Sequence, residues 1–176
     1  MHNLIQLQTQ VYRGHDPRWS FQPNSGIGAK TFGGRFNPIG MDALYTSLSM
    51  QTAWAESQQG FGYKTQPLTM CTYEVNCINI ADLTDHQTLA EFNILQSELS
   101  SAWQSSSTKL SKPQAIAKRL FKAGVSGVIV PSYANSAPNN SKNVVFWRWS
   151  PTIPHQVKVI DDQQRLPNNQ ASWSSN

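Results

Sequence analysis

A chain of 176 residues is the length of one domain with a sizeable core. Its 14 basic and 10 acidic side chains leave a net charge of +4, with charged residues only 14% of the total, which excludes a chain kept unfolded by its own charge. No apolar run approaches ~18 residues, and Met1–Gln10 has no continuous apolar stretch, so the expectation is a soluble, cytoplasmic protein without a membrane segment.

Gln8–Arg13 reads as a first strand, followed from Gly14 to Thr31 by a loop rich in Gly, Pro and Asn. Phe32–Asn37 is expected as a short strand, Pro38-Ile39-Gly40 as a turn and Ala43–Ser47 as the next strand. Ser49 suits the cap of a helix over Met50–Gln59, stopped by Gly60, with Met50, Ala53 and Trp54 as its apolar stripe. Leu68–Val75 alternates as a strand, with Cys71, Tyr73 and Val75 on one face. Phe92, Leu95, Leu99 and Trp103 recur at helical spacing and predict a helix over Leu89–Trp103. Gln104–Lys112 is a polar linker. Pro113 opens a helix whose buried face is Ile116, Ala117, Leu120 and Phe121, and Gly124 ends it. Val125–Val130, Asn143–Trp149 and Gln156–Ile160 read as strands, and the polar tail 161–176 as loose. The expected class is α+β: a single domain of mixed, mostly antiparallel sheet with a few flanking helices.

Several functional classes lack support. Gly26-x-Gly28 is no dinucleotide fingerprint, because Thr31 stands where the third glycine belongs and Pro23-Asn24 precedes it instead of a strand. Cys71 and Cys77 share a strand face but sit too far apart to bridge, and no CxxC or adjacent His accompanies them, so buried free thiols are expected and no metal. The four histidines are dispersed, which leaves a Cys–His nucleophile without a partner. Lys109, Lys112, Lys118, Arg119 and Lys122 form a loose cluster that a solvated helix face explains, so no direct nucleic-acid partner is expected.

Taken singly, Arg35 reads as a turn residue, Tyr45 as half-buried core, Glu56 as a solvated helix end and Ser132 as turn chemistry. Their order says more. Tyr12-Arg13, then Gly33-Gly34-Arg35-Phe36-Asn37-Pro38-x-Gly40, then Leu44-Tyr45-Thr46-Ser47, then Ala53-x-x-Glu56 resembles the N-terminal half of the RES domain of bacterial toxin–antitoxin toxins. Gly127-Val128-Ile129-Val130-Pro131-Ser132, followed by Asn143-Val144-Val145, resembles its C-terminal half. The Arg, Glu and Ser that name the family match Arg35, Glu56 and Ser132, and Phe36 stands where members often carry Trp. The resemblance covers about Val11 to Ile160, so a RES domain over 11–160 and a tail over 161–176 are expected.

The resemblance implies an ADP-ribosyltransferase-like fold that cleaves the nicotinamide–ribose bond of NAD⁺, its substrate, and arrests growth. Nicotinamide leaves as a neutral pyridine, so the barrier is positive charge on the ribose, which a carboxylate offsets. Glu56 is the implied stabiliser, and Arg13 or Arg35 the grip on the pyrophosphate, Arg35 being the more intimately involved in the site. Tyr45 is the implied stacking partner of the nicotinamide ring, and Ser132 a hydrogen-bond donor to NAD⁺ or to Glu56. Tyr12, Gly34 and Asn37 join Arg13 on the binding side. Water, inorganic phosphate or a protein side chain remains open as acceptor. An Xre-like antitoxin is the implied protein partner, and a homodimer and export as an effector also stay open. A protein ADP-ribosyltransferase and a non-catalytic nucleotide- or partner-binding module are the alternatives; a small basic nuclease lacks paired carboxylates or a His dyad.

Overall fold

The computed structural model describes residues 3–58, 66–104 and 109–173. Its strands are β1 (Ile5–His15), β2 (Leu44–Ser47), β3 (Thr69–Asp82), β4 (Gly127–Pro131), β5 (Lys142–Phe146) and β6 (His155–Val159). Its helices are α1 (Ile27–Phe32), α2 (Met50–Ser57), α3 (His86–Glu91), α4 (Gln96–Leu99) and α5 (Lys112–Lys122). The sheet runs β1-β2-β5-β4-β3-β6, and β1 also pairs with β3, so the first five strands close on themselves. β3 makes this closure possible. At 14 residues, it carries β1 along one edge and offers β6 and then β4 places on the other. Among the described strand pairs only β3–β4 is parallel, in line with the expected, mostly antiparallel α+β class.

Period-two alternation decides what fills the ring. Cys71, Tyr73, Val75 and Cys77 of β3 point inward and pack with Val11, Leu44 and Phe146. Both cysteines are free and buried, and burial pushes their thiols up to about 11 and about 12. A second core lies on the outer face of β4 and β5, where Val128, Val130 and Val145 meet Ile116, Ala117 and Leu120 of α5. The α5 helix starts as read, with Ser111 accepting from Gln114 N and proline in its first turn.

Four expectations change. Phe32–Asn37 is not a strand: α1 runs to Phe32, and Gly33 at φ +71° turns the chain into a tight loop. Leu89–Trp103 is not one helix, because Asn93 at φ +52° interrupts it between α3 and α4. That break buries Ile94 and leaves Leu95 67% exposed. In α2, Ser49 caps as read, yet Met50 and Trp54 are exposed and Thr52, Ala53 and Ala55 form the buried face. Thr52 turns inward because its hydroxyl donates to Ser141 Oγ at 3.0 Å. The tail is not loose through residue 173: Leu166 packs on the ring core and Gln170 Nε2 donates to Arg18 O at 3.3 Å. The predicted helix end at Gln59-Gly60, part of the polar linker (105–108) and the last residues (174–176) lie outside the described residues. Among the described residues, no helix is long and apolar enough to cross a membrane.

Candidate active site

The loop after α1 is organised by a buried amide. Asn37 is fully buried, and its Nδ2 donates to Ala29 O at 2.7 Å and Met41 O at 3.0 Å. Its Oδ1 accepts the Tyr45 hydroxyl at 2.7 Å, and the same phenol oxygen accepts Phe36 N at 3.0 Å. Gly34 is glycine because the phenol comes so close: a Cβ there would lie 2.5 Å from Tyr45 Oη. Asn37 thus sits inside the loop, holding Tyr45, while Gly34 and Tyr45 reach the cleft wall.

Arg35 leaves this loop on the outer side. Its Nη1 donates to Ser101 O at 2.7 Å and Leu99 O at 3.3 Å, and its guanidinium lies 4.5 Å over the Tyr133 ring. Arg35 therefore straps the segment after α4 to the cleft that it lines.

Glu56, near the end of α2, meets residues from two adjacent strands. Ser132 Oγ, just past β4, and Asn143 Nδ2, in β5, both donate to its Oε1 at 2.5 Å. Asn143 Oδ1 in turn accepts Ser47 Oγ of β2 at 2.7 Å. Register explains the row, since Asn143 pairs with Ser47 on one side and Val130 on the other. Ser132 Oγ also accepts Ala134 N at 3.3 Å. That hydroxyl points its proton at the carboxylate and so holds it in place.

Arg13 completes the constellation from β1, with Nη1 donating to Ser25 O at 3.3 Å. Burial lowers its pKa from the ordinary arginine value, with Tyr73 and Cys71 opposing that shift. Next to it, His15 is buried against Tyr73 Oη at 2.7 Å. The Tyr73 proton goes to Pro23 O at 2.7 Å, so His15 Nε2 carries its own proton and donates. Burial, assisted by Arg13, lowers the His15 pKa from 6.5 to about 4. The unfolded chain therefore binds a proton below 6.5 that the native state refuses, and stability fully present above that pH is lost as pH falls toward 4. Urea unfolding at pH 7 and pH 4.5 is expected to show a loss of roughly 2–3 kcal/mol from this group. A His15→Gln variant should show that much less loss; an equal loss would mean that His15 does not titrate as placed.

Two clefts meet here. One of about 430 Å³ is lined by Arg13, Arg35, Tyr45, Glu56, Trp103 and Tyr133. The other, of about 280 Å³, is lined by Tyr12, Arg13, Tyr45, Ser47 and Glu56. Of the residues named from sequence, Tyr12, Arg13, Gly34, Arg35, Tyr45 and Glu56 line them, and Ser132 joins through its bond to Glu56. Sequence reasoning gave no role to Asn143, Tyr133 or Trp103. Among the described residues, no group of three or more His, Cys, Asp or Glu is placed to hold a metal.

A model of the RES domain matches residues 10–169. The chain belongs to the RES-domain family. No curated protein matches it. The fold of this RES domain is similar to that of a chain in the crystal structure of the M. tuberculosis MbcT–MbcA toxin–antitoxin complex, with TM-score 0.65 and 21% identity. The match covers 90% of the RES chain and 84% of the other.

The geometry changes what Tyr45 substitutions should do. Tyr45→Phe keeps the ring but strands Asn37 Oδ1 and Phe36 N, at about 1–3 kcal/mol for each buried group. The variant is expected to melt lower than wild type and to lose order in the Gly33–Phe36 loop, which thermal unfolding and amide exchange would report. An unchanged melting temperature would mean that the phenol bonds are dispensable.

Proposed function

We propose that this RES domain is a toxin that cleaves the nicotinamide–ribose bond of NAD⁺ on an ADP-ribosyltransferase-like scaffold. The observation that carries the reading is the carboxylate of Glu56, fixed through one oxygen by Ser132 and Asn143 in a cleft shared with Arg13 and Tyr45. As the C–N bond breaks, its electron pair stays with the nicotinamide nitrogen and positive charge develops on the ribose. A carboxylate already held in place stabilises that charge without reorganising. The acceptor oxygen then bonds the anomeric carbon and releases its proton.

Arg13 is the natural grip for the diphosphate, since one nitrogen is tethered to Ser25 and the residue lines both clefts. Arg35 supports the wall and reaches the larger cleft, where Tyr45 offers its ring to the nicotinamide. An antitoxin of the Xre kind that covers the cleft is the proposed partner, a reading supported by the likeness to a chain of a toxin–antitoxin complex.

The test is chromatography of purified protein with NAD⁺, with and without inorganic phosphate. Free ADP-ribose, ADP-ribose 1″-phosphate and labelled protein report water, phosphate and side-chain acceptors in turn; unconsumed NAD⁺ overturns the proposal. Production in bacteria is expected to stop growth as NAD⁺ falls within minutes, measured on cell extracts. Arrest with NAD⁺ unchanged would refute the proposed cause.

A further inference from the structure

A third cavity, of about 520 Å³, shares Arg13 with the two clefts that Glu56 lines. Arg13 lines it together with Trp19, Ser25, Ile27, Thr31 and Phe32, whereas Glu56 and Tyr45 do not. Gly28 lines both it and the Glu56 cleft, so the two spaces adjoin along α1. Its apolar groups are not used by the fold. Trp19 is 53% exposed, Ile27 64% and Phe32 80%, and α1 buries no residue at all. Large aromatic groups left in water beside a preformed cavity mark a surface made for a ligand.

The order of groups along this surface is carboxylate, guanidinium, aromatic cavity. A dinucleotide presents matching chemistry in the same order: a ribose that becomes positive, a diphosphate, and a purine with two π-faces. We infer that the cavity lined by Trp19, Ile27 and Phe32 holds the adenine end of the dinucleotide and sets specificity for a substrate that carries a base there. The inference rests on the proposed NAD⁺ reading and adds the direction in which the substrate lies. Arg13 fixes the direction, because it borders all three spaces and is the cation shared by the carboxylate and aromatic sides. With the reacting ribose at Glu56 and the diphosphate at Arg13, the remaining base falls into the third cavity. Stacking on aromatic side chains suits such a site, since it needs no particular hydrogen-bond pattern.

The experiment compares wild type with Trp19→Ala and Phe32→Ala on two substrates, NAD⁺ and nicotinamide mononucleotide, which lacks the adenosine half. Both aromatics are exposed enough that truncation opens no core cavity, and thermal unfolding checks this. For NAD⁺, KM is expected to rise roughly tenfold for each ring removed, with kcat nearly unchanged. For nicotinamide mononucleotide, kcat/KM should stay at the wild-type value in both variants. AMP, titrated by calorimetry, should bind wild type and bind at least several-fold more weakly to Phe32→Ala. An unchanged KM for NAD⁺ in folded variants overturns the inference while leaving NAD⁺ cleavage standing. Equal losses on both substrates also overturn it, because the rings would then serve the nicotinamide end. Should NAD⁺ not be cleaved by any variant, the functional reading fails, and AMP binding that depends on Phe32 still decides whether the cavity takes adenine. Loss of partner binding in the variants, with KM for NAD⁺ unchanged, would reassign the patch to a protein surface.

Discussion

A Glu56→Gln variant is expected to lose about 10²–10³-fold in NAD⁺ turnover at saturating substrate, while unfolding close to the wild-type temperature. The amide keeps the size of the carboxylate, and its oxygen still accepts from Ser132 Oγ and Asn143 Nδ2, which meet one oxygen in the native protein. What disappears is the negative charge that, on the proposed reading, faces the developing positive ribose. Because that interaction strengthens in the transition state, the loss should fall on kcat more than on KM. Turnover within tenfold of wild type would remove the carboxylate from its proposed role. A large fall in melting temperature would instead make Glu56 a structural residue. Asn143→Ala should give a smaller activity loss than Glu56→Gln, since it loosens the carboxylate without neutralising it.

Asn37→Ala is expected to be the most damaging single change to the loop that carries Arg35. It removes the acceptor for the Tyr45 hydroxyl and leaves the Ala29 and Met41 carbonyls without their side-chain donor, all at a fully buried position. Unsatisfied buried groups cost about 1–3 kcal/mol each, so a total near 3 kcal/mol is a conservative sum. For a domain of this size, that lowers the melting temperature by roughly 6–12 °C. Activity should fall with it, because Arg35 leaves this loop and the Tyr45 hydroxyl is held by it. Differential scanning calorimetry reads the first effect and NAD⁺ consumption the second. A shift under about 2 °C would mean that the loop does not depend on its amide.

The sequence carries the parts of this molecule that local physics controls. Alternation in Leu68–Val75 places Cys71, Tyr73 and Val75 inward, Ser49 and Ser111 cap their helices, and Pro113 opens α5. Failures come where a local pattern meets a distant partner. Phe36 looks like a strand residue, yet the amide of Asn37 folds its segment into a loop around Tyr45. The heptad-like spacing of Phe92, Leu95 and Leu99 is real, but Asn93 in a left-handed conformation shifts Ile94 into the core instead of Leu95. The site divides in the same way. Six of the eight residues named from sequence line the clefts; they come from β1, the loop after α1, β2 and α2, which follow one another in the first third of the chain. Asn143 was read only as part of the family pattern and given no role, because its meaning depends on facing Ser47 and reaching Glu56, and no spacing rule connects positions so far apart.

That separation has a consequence for when the proposed activity can arise. The two donors that fix Glu56 come 76 and 87 residues after it. During synthesis the N-terminal part of the chain emerges first. A nascent chain can therefore present Arg13, Arg35 and Glu56 long before Ser132 and Asn143 exist to hold the carboxylate. β5, which pairs with β2 and β4 and carries Asn143, must be in place before the cleft is assembled. A fragment that stops short of Asn143 contains the carboxylate and both arginines and should be inert, so unfinished copies would add nothing to the proposed toxicity. On the proposed reading, completion of the fold acts as a safety interlock: the Glu56 carboxylate is held by both donors only once the chain through Asn143 has arrived.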